Sequence, residues 1–171
     1  MQYAPDTVQR RWASPLGAAR LAATPRGLAG FWFEQQRHWP AALLDGAQAC
    51  PEHPGAHAVL DAAEAQLADY FAGRLTHFTV PLELPGATPF QHEVWQALLA
   101  LPLGRTSSYG ALATGIGRPA AVRAVGAAVG RNPLSIIVPC HRVLGSNGGL
   151  TGYAGGLDRK AALLALEARP A

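Results

Sequence analysis

A cysteine directly followed by a histidine and an arginine is the part of this sequence best suited to chemistry. Cys140, His141 and Arg142 come after the apolar run 136–138 and Pro139, which stiffens the chain and lacks a backbone N–H. A cysteine becomes a nucleophile when a nearby group takes its proton or stabilises the thiolate. Adjacent side chains on an extended segment point apart, so we expect a water molecule to carry the proton from Cys140 to His141. A buried structural cysteine is the ordinary alternative for such a pair.

A carboxylate near the end of the sequence could complete this site. A last helix is predicted over residues 157–168, and it carries Glu167 on the same face as Lys160 and two leucines. A carboxylate on an apolar face needs a partner, and His141 could provide one in the manner of a Cys-His-acid triad. A Glu167 that faces water at a frayed helix end explains the pattern equally well.

Two loops flank the cysteine segment. Asn132 followed by Pro133 is a stop signal, and its side chain can bond the backbone groups that fix the turn leading to Cys140. The glycine-rich stretch 151–157 carries one aromatic residue, Tyr153, and suits a flat ligand that approaches backbone N–H groups. Its glycine spacing matches no phosphate-binding loop.

The first half of the sequence has the pattern of a small sheet with a helix. Two apolar runs on either side of the turn signal Pro25-Arg26-Gly27 predict a hairpin, and apolar residues at helical spacing predict a helix that Gly73 stops. The predicted elements are a β-hairpin over 14–33, a loop over 51–55, a helix over 58–71 and an extended segment over 79–84. Pro85-Gly86 is the predicted boundary, which gives an α/β (α+β) chain with domains 1–86 and 87–171.

The second half is predicted to be mainly helical. Apolar residues recur every three or four positions from 89 to 101, a second helix is expected at about 108–115, and Pro119 suits the first turn of a third. The third helix would place Val122, Val125 and Val129 on one face. Two short helices joined by a glycine-containing turn are typical of a helix-turn-helix DNA reader, although many enzymes also contain such pairs.

The charges are distributed unevenly between the halves. Residues 1–87 contain six arginines and eight acidic residues, a net charge of −2, whereas residues 88–171 contain seven arginines and Lys160 against three acidic residues, a net charge of +5. Of the 14 basic residues only Lys160 is a lysine, so the basic half presents guanidinium groups that suit phosphate contacts. A polyanionic partner is the resulting hypothesis, and a merely solubilising basic face is the alternative.

Composition excludes several classes of protein. With 171 residues, 49% of them hydrophobic, the chain can bury a core, and its apolar runs are shorter than the roughly 20 residues of a membrane span. Together with an N-terminus that has charged residues and no signal-peptide core, these short runs favour a cytoplasmic location. Two cysteines are too few for a secreted disulfide scaffold, so we expect free thiols. We also expect a monomer. Cys50, His53 and His57 have a metal-like spacing but lack a clear fourth ligand, which favours a solvated loop. We expect no metal and no cofactor.

Six ordered motifs run from residue 90 to residue 156, and Glu167 follows them. They are Phe90-Gln-His-Glu-Val-Trp95, Gly104-Arg-Thr-Ser-Ser-Tyr-Gly110, Arg123-Ala-Val-Gly126, Asn132-Pro133, Pro139-Cys-His-Arg-Val143 and Thr151-Gly-Tyr-Ala-Gly-Gly156. Together they resemble the methylated-DNA-protein-cysteine methyltransferases, also called O6-alkylguanine-DNA alkyltransferases. Residues 14–17 and 27–33 look like the family's variable N-terminal α/β domain. Almost the whole chain is covered by this resemblance.

The resemblance implies DNA repair by a protein that is consumed in the reaction. An alkyl group would move from guanine O6, and less readily from thymine O4, in double-stranded DNA to the sulfur of Cys140. His141 would be the base acting through water, Glu167 the residue that orients it, and Asn132 the structural partner of the network. Two positions depart from the common pattern. Ala154 replaces a frequent serine. Ser135 stands where some members have a proline that walls the alkyl pocket, which leaves the tolerated adduct size open.

The resemblance also implies residues that handle the DNA. Tyr109 would turn the target nucleotide out of the stack and hydrogen-bond guanine N3, and Arg123 would fill the gap on a helix that docks in the minor groove. The implied substrate contacts are Tyr109, Arg123, Val143, Tyr153 and Ala154, and the implied DNA contacts are Ser108, Tyr109, Arg123, Ala124 and Ala127. Two other interpretations remain at this point: a lesion-binding relative that accepts no alkyl group, and a Cys-His hydrolase that turns over. The presence of Cys140 speaks against the first.

Overall fold

The chain divides into two compact units. A computed structural model describes residues 3–40, 53–84 and 86–168. The units are Met1–Gly86 and Ala87–Pro170. None of the helices that the structure describes combines the length and apolar character needed to cross a membrane.

The first unit contains a three-stranded antiparallel sheet. Its strands are β1 (Val8–Ser14), β2 (Gly17–Thr24) and β3 (Gly27–Phe33), in the order β1-β2-β3. Thr24 pairs with Gly27 across the turn, so the predicted hairpin is confirmed. The edge strand β1 was not predicted, because most of its side chains are only half buried and its apolar signal is weak. Gly27 is required here, since a Cβ at this position would lie 2.8 Å from the carbonyl oxygen of Pro81.

One helix packs on this sheet. Helix α1 (Pro54–Phe71) begins four residues before the predicted start, because Pro54 lies in the first turn, where a missing N–H costs nothing. The predicted loop 51–55 therefore ends early, and its first two residues lie outside the described ones. The extended segment expected at 79–84 forms a parallel bridge between Leu82 and Leu28. Large apolar side chains of the sheet and the helix form a core without solvent exposure, among them Leu21, Phe31, Phe33, Leu60 and Leu67.

The second unit is mainly helical, as predicted. It contains α2 (Pro89–Leu99), α3 (Tyr109–Gly115), a 3-10 turn (Pro119–Ala121), α4 (Val122–Gly130) and α5 (Leu157–Glu167). Two short parallel strands, β4 (Ser107–Ser108) and β5 (Val143–Leu144), join the start of α3 to the segment after Cys140. The indole N–H of Trp95 donates to the Ala128 carbonyl at 2.9 Å, which ties α2 to α4.

The predicted apolar face of α4 is only partly correct. Val125 and Val129 are buried, but Val122 is 39% exposed. Val122 is the first residue of the helix and directly follows the 3-10 turn, in which no residue is buried. The helices α3 and α4 follow each other through a short connection that contains Gly117 at a φ of 71°, and the helix-turn-helix stays a prediction.

Candidate active site

Cys140 lies at the start of a buried turn. The residues Cys140–Arg142 form a 3-10 turn after Pro139, so the expectation of an extended segment was wrong. The reason is local, since the N–H of Arg142 donates to the Pro139 carbonyl at 3.0 Å and closes the turn. Cys140 is 5% exposed, and within the described part of the chain it is the free cysteine.

Asn132 holds the segment that leads to this turn. Its side-chain amide donates to the carbonyl oxygen of Val138 at 2.8 Å and to that of Leu134 at 3.3 Å, and its Oδ1 accepts from the Leu134 N–H at 3.0 Å. The same amide lies 3.1 Å from the Sγ of Cys140, a contact that the sequence did not predict. Asn132 therefore shapes the backbone and also offers the sulfur a hydrogen-bond donor. Ile136 in this segment has a φ of 72°, which is unusual for a β-branched residue.

Glu167 is shared by two partners inside the protein. It accepts from His141 Nε2 at 2.8 Å and from two nitrogens of Arg142, Nε at 2.8 Å and Nη2 at 2.9 Å. Glu167 is 6% exposed, so the alternative of a water-facing helix end is contradicted. The N–H of Gly104 also donates to this carboxylate at 3.3 Å, and Arg142 Nη1 donates to the Leu101 carbonyl at 2.6 Å.

This arrangement makes His141 a neutral base. Because Nε2 donates to Glu167, Nδ1 is the unprotonated nitrogen, and among the described residues it has no hydrogen-bond partner. Burial lowers the pKa of His141, although the bond to Glu167 opposes this shift. A neutral imidazole with a free Nδ1 can accept a proton from a neighbouring group.

The thiol of Cys140 needs such a base. Burial raises the pKa of Cys140, while the hydrogen bond from Asn132 and the positive charge of Lys160 lower it in part. The resting cysteine is therefore mainly a thiol at neutral pH. A nucleophilic sulfur therefore has to be produced by transfer of its proton to a base, and the neighbouring His141 has an Nδ1 without a hydrogen-bond partner among the described residues.

Aromatic residues of two elements lie around this centre. Tyr109 is the first residue of α3, and its hydroxyl is 3.4 Å from the Gly152 carbonyl and 3.5 Å from that of Thr151. The Tyr153 ring meets the His141 ring edge to face, with the ring centres 6.5 Å apart. Burial raises the pKa of Tyr153 well above its ordinary value, so this hydroxyl stays neutral.

The remaining predicted residues fall into a buried and an exposed group. Val143 is buried beside the turn, and Ala154 is half buried in the glycine-rich loop. Ser108 caps α3 by accepting from the Ala111 N–H at 3.1 Å. The exposed face of α4 carries Arg123, Ala124 and Ala127.

Known proteins are similar to the chain over most of its length. The profile of the family described as "6-O-methylguanine DNA methyltransferase, DNA binding domain" matches residues 89–169. The "Methylated-DNA--protein-cysteine methyltransferase" of Mycolicibacterium paratuberculosis is 48% identical over 156 residues, which cover 91% of this chain and 89% of that protein. The chain belongs to the methylated-DNA–protein-cysteine methyltransferase family.

Solved structures of Mycobacterium tuberculosis proteins support the assignment of the chain to this family. Its O6-methylguanine methyltransferase matches with a TM-score of 0.81 and 47% identity, and the match covers 96% of both chains. A structure described as the same organism's OGT in complex with DNA matches with a TM-score of 0.78 and 46% identity, over 94% of this chain and 92% of the other. The mixed α/β fold predicted from the sequence is thus also the fold of known methyltransferases.

In this methyltransferase family member the structure brings together Cys140, His141, Glu167 and Asn132, the four residues predicted as catalytic. Sequence reasoning missed two charged residues of the same centre, Arg142 and Lys160. Arg142 stands in the Pro139-Cys-His-Arg-Val143 motif, and Lys160 stands on the face of α5 that carries Glu167, so both signals were available. Neither position revealed which atoms the side chain would reach.

Cys50, His53 and His57 have the spacing of metal ligands, but the described residues among them are not grouped as a metal site. Cys50 lies outside the described residues. His57 Nδ1 lies 3.2 Å from the Arg10 guanidinium. Across residues 3–40, 53–84 and 86–168 no three histidine, cysteine or acidic side chains are grouped so that they could hold a metal ion.

Proposed function

We propose that this protein repairs DNA by moving an alkyl group from guanine O6, and less readily from thymine O4, onto the sulfur of Cys140. The observation that carries the proposal is the buried thiol in one turn with His141, whose Nε2 is held by Glu167 while Nδ1 stays free. A sulfur that is only 5% exposed can react with a base atom only if that base leaves the stack and enters the site. The target nucleotide is therefore flipped out.

The reaction follows from the positions of these groups. A water molecule passes the thiol proton from Cys140 to Nδ1 of His141, and Glu167 stabilises the imidazolium that forms. The thiolate then attacks the alkyl carbon, the carbon–O6 bond breaks, and its electron pair goes to the guanine ring. The hydroxyl of Tyr109 donates to guanine N3 and stabilises this negative charge in the way an oxyanion hole does. The imidazolium of His141 then gives its proton up through water and the guanine ring takes one up, so the proton that left the thiol is accounted for and His141 is neutral again.

The product explains why the protein is used once. Alkyl transfer leaves a thioether at Cys140, and a thioether has no acyl carbon that water could attack. The Cys-His hydrolase differs here, because its intermediate is hydrolysed and the cysteine returns. We infer that one molecule repairs one lesion.

The same proposal assigns the DNA contacts. Arg123 enters the minor groove and occupies the space of the flipped base, while Ala124 and Ala127 let α4 approach the DNA closely. Ser108 and Tyr109 face the strand at the start of α3, and Val143, Tyr153 and Ala154 surround the flipped base. The exposure of Arg123 and of both alanines supports this role.

The domains and the setting are part of the proposal. Residues 87–171 carry transfer and DNA binding, and residues 1–86 form the α/β domain. The protein acts in the cytoplasm as a monomer on double-stranded DNA, and the reaction needs no cofactor, since the residues described above provide the nucleophile, the base and the hydrogen-bond donor.

The decisive experiment counts the groups that are transferred. The protein is incubated with excess DNA that contains O6-methylguanine, and the peptides are weighed by mass spectrometry. We expect one methyl group per protein, on the peptide with Cys140, and the same result for Cys50→Ser. Cys140→Ser should accept none. Continued demethylation beyond one equivalent, or methyl transfer in Cys140→Ser, would contradict the proposal.

A further inference from the structure

Lys160 is a buried ammonium group that the transfer mechanism leaves without a role. It lies in the second turn of α5 and has no solvent exposure. Its Nζ donates to the Val143 carbonyl at 2.5 Å and to the Thr151 carbonyl at 2.6 Å. It is also the single lysine of the chain. A buried cation without a counter-charge is strongly unfavourable, so a group that can carry a negative charge is expected near Lys160.

The acidic group on the same helix face is already neutralised. Glu167 accepts two hydrogen bonds from Arg142 and one from His141. Arg142 and Glu167 therefore balance each other, and His141 is neutral in the resting state because burial lowers its pKa. Asp158 on the same helix is exposed. The positive charge of Lys160 thus stays uncompensated among these groups.

The hydroxyls near Lys160 do not provide the missing charge. Burial raises the pKa of both Tyr109 and Tyr153, so these groups stay protonated at neutral pH. The nearby cation Arg159 donates to the Gly155 carbonyl at 2.9 Å and only adds positive charge. The thiol of Cys140 is also protonated at rest, because burial raises its pKa, but unlike the two tyrosines it gives up its proton during the reaction, and the thiolate then provides the negative charge.

Short hydrogen bonds connect Lys160 to the cysteine turn. Val143 closes the turn through its N–H, which donates to the Cys140 carbonyl, and the carbonyl of the same residue accepts from Lys160. The second acceptor, Thr151, begins the glycine-rich loop that carries Tyr153. Lys160 therefore joins the end of the cysteine turn to the start of the glycine-rich loop.

We propose that Lys160 is the buried counter-ion of the Cys140 thiolate and that it also holds Val143 and the glycine-rich loop in place beside the sulfur. It is a positioning residue, since its ammonium bonds the protein backbone. The inference deepens the proposed function and rests on it, because it concerns the activation of the same sulfur. Lys160 keeps its proton throughout: the thiol proton goes to His141, and the thiolate left behind pairs with the ammonium.

The electrostatic interaction between the two groups acts in both directions. Burial raises the pKa of Cys140, and the ammonium of Lys160 opposes this shift. Burial lowers the pKa of Lys160, and the negative charge of Cys140 opposes that shift. Thermodynamic linkage requires these two effects to be equal in size. Alkylation removes the thiolate for good, and the ammonium then loses its counter-charge.

The first test measures thiolate formation without DNA. In a Cys50→Ser background, the rate of Cys140 alkylation by iodoacetamide is followed between about pH 6 and 10, which spans the ordinary thiol pKa. We expect Lys160→Met to raise the apparent pKa of Cys140 by at least about one unit, which slows alkylation at pH 7 about tenfold. Arg105→Met is the matched control, because it removes an exposed cation of the same unit and should leave the profile unchanged. If the pH profile of Cys140 alkylation were the same in the Lys160→Met protein as in the protein that keeps Lys160, the counter-ion role would be overturned.

The second test does not depend on a lysine variant that folds. Because the chain has one lysine, labelling with 13C at lysine Cε gives one side-chain NMR signal, whose titration reports the pKa of Lys160. We expect this pKa to be higher in the protein with Cys140 than in Cys140→Ala, by the same amount as the cysteine shift in the first test. Identical lysine titrations would refute the pairing. Neither test uses alkylated DNA, so a failure here would be distinguishable from a failure to transfer methyl groups.

Discussion

The reaction centre and the exposed face of α4 satisfy their polar groups in opposite ways. In the reaction centre, His141, Arg142 and Glu167 are buried and bonded to one another at 2.8–2.9 Å. On α4, Arg123 is exposed and makes no ion pair with any described residue. The charged side chains of the reaction centre are bonded to one another inside the protein. The guanidinium of Arg123 lies on the surface without such a partner among the described residues.

Because of this difference, variants of the reaction centre should change the folding stability, whereas variants of the exposed face of α4 should change only DNA binding. The geometry of the centre is fixed before DNA arrives, so a change there leaves buried groups unpaired and affects folding as well as chemistry. A change on the exposed helix face removes nothing from the folded protein, and its effect is confined to the complex. Variants of the two regions should therefore differ in unfolding experiments even where both reduce repair.

The largest effect is expected from Glu167→Gln. The neutral amide leaves the buried Arg142 guanidinium without its counter-charge, and breaking a buried pair costs about 3–5 kcal/mol. We expect a fall of this size in the free energy of unfolding by urea. Alkyl transfer should also slow, because a neutral amide no longer stabilises the protonated His141.

Glu93→Gln is the matched control for this change. Glu93 also binds an arginine through two bonds, both 3.1 Å long, but its partner Arg118 and the carboxylate are about half exposed. Exposed ion pairs contribute about 0–1 kcal/mol, so this variant should stay close to the unchanged protein in stability. Equal losses for the two variants would show that burial does not distinguish the pairs.

The sequence revealed the types of residue in the centre better than their partners. Cys140 next to His141 and a carboxylate on an apolar helix face suggested a Cys-His-acid set, but a Glu167 that faces water explained the pattern equally well, and only the family resemblance favoured the buried carboxylate. Arg142 was not assigned a role, because its partner Glu167 lies 25 residues further along the chain and only the tertiary fold brings the two together. Lys160 was noted for its charge and for its place on the helix face of Glu167, but it was given no role, since a lysine on a helix is usually exposed and nothing local indicates that its ammonium meets two carbonyls.

The fold shows the same limit. The turn signal Pro25-Arg26-Gly27 was sufficient for the hairpin, because turn geometry is a local property. Strand β1 is stabilised by its pairing with β2. Its apolar and polar residues alternate too weakly for the sequence to predict a strand there. Val122 has the apolar character of a core residue, and its exposure follows from where α4 begins.

A smaller effect, limited to binding, is expected from Arg123→Ala. Loss of the side chain that fills the gap in the base stack should weaken binding to DNA with a flipped lesion by about 1–3 kcal/mol, the usual contribution of a stacked contact. The free energy of unfolding should change by less than about 0.5 kcal/mol, because the residue is exposed. Titration calorimetry on lesion-containing DNA and urea unfolding measure the two quantities.

Arg131→Ala tests whether Arg123 is more than a phosphate contact. Arg131 is an exposed cation at the end of the same helix and is expected to act through charge alone. Its loss should lower the slope of log affinity against log salt by about one and weaken binding to damaged and intact DNA alike. If Arg123→Ala gave only that result, its role in filling the stack would be wrong.

The smallest expected effect is a loss of folding stability at low pH, and it arises from His141 in the reaction centre. Burial lowers the pKa of His141, so below about pH 6.5 the unfolded chain binds a proton there that the folded protein does not. Stability is therefore unaffected by this group above pH 6.5 and falls as the pH drops below it, by at most about 1.4 kcal/mol per pH unit. The helix residues 122–130 contain no group that titrates in this range.

Nitrogen NMR of 15N-labelled histidine assigns this loss to its group. At pH 6 we expect the His141 signals of a neutral ring, with the proton on Nε2 and none on Nδ1, while unfolding by urea is measured between pH 5 and 7 in parallel. The Arg123→Ala protein should show the same acid dependence, because its change lies on the exposed face of α4. A doubly protonated His141 at pH 6 in the folded protein would mean that Glu167 outweighs burial, and the resting histidine would then be an acid rather than the base that takes the proton of Cys140.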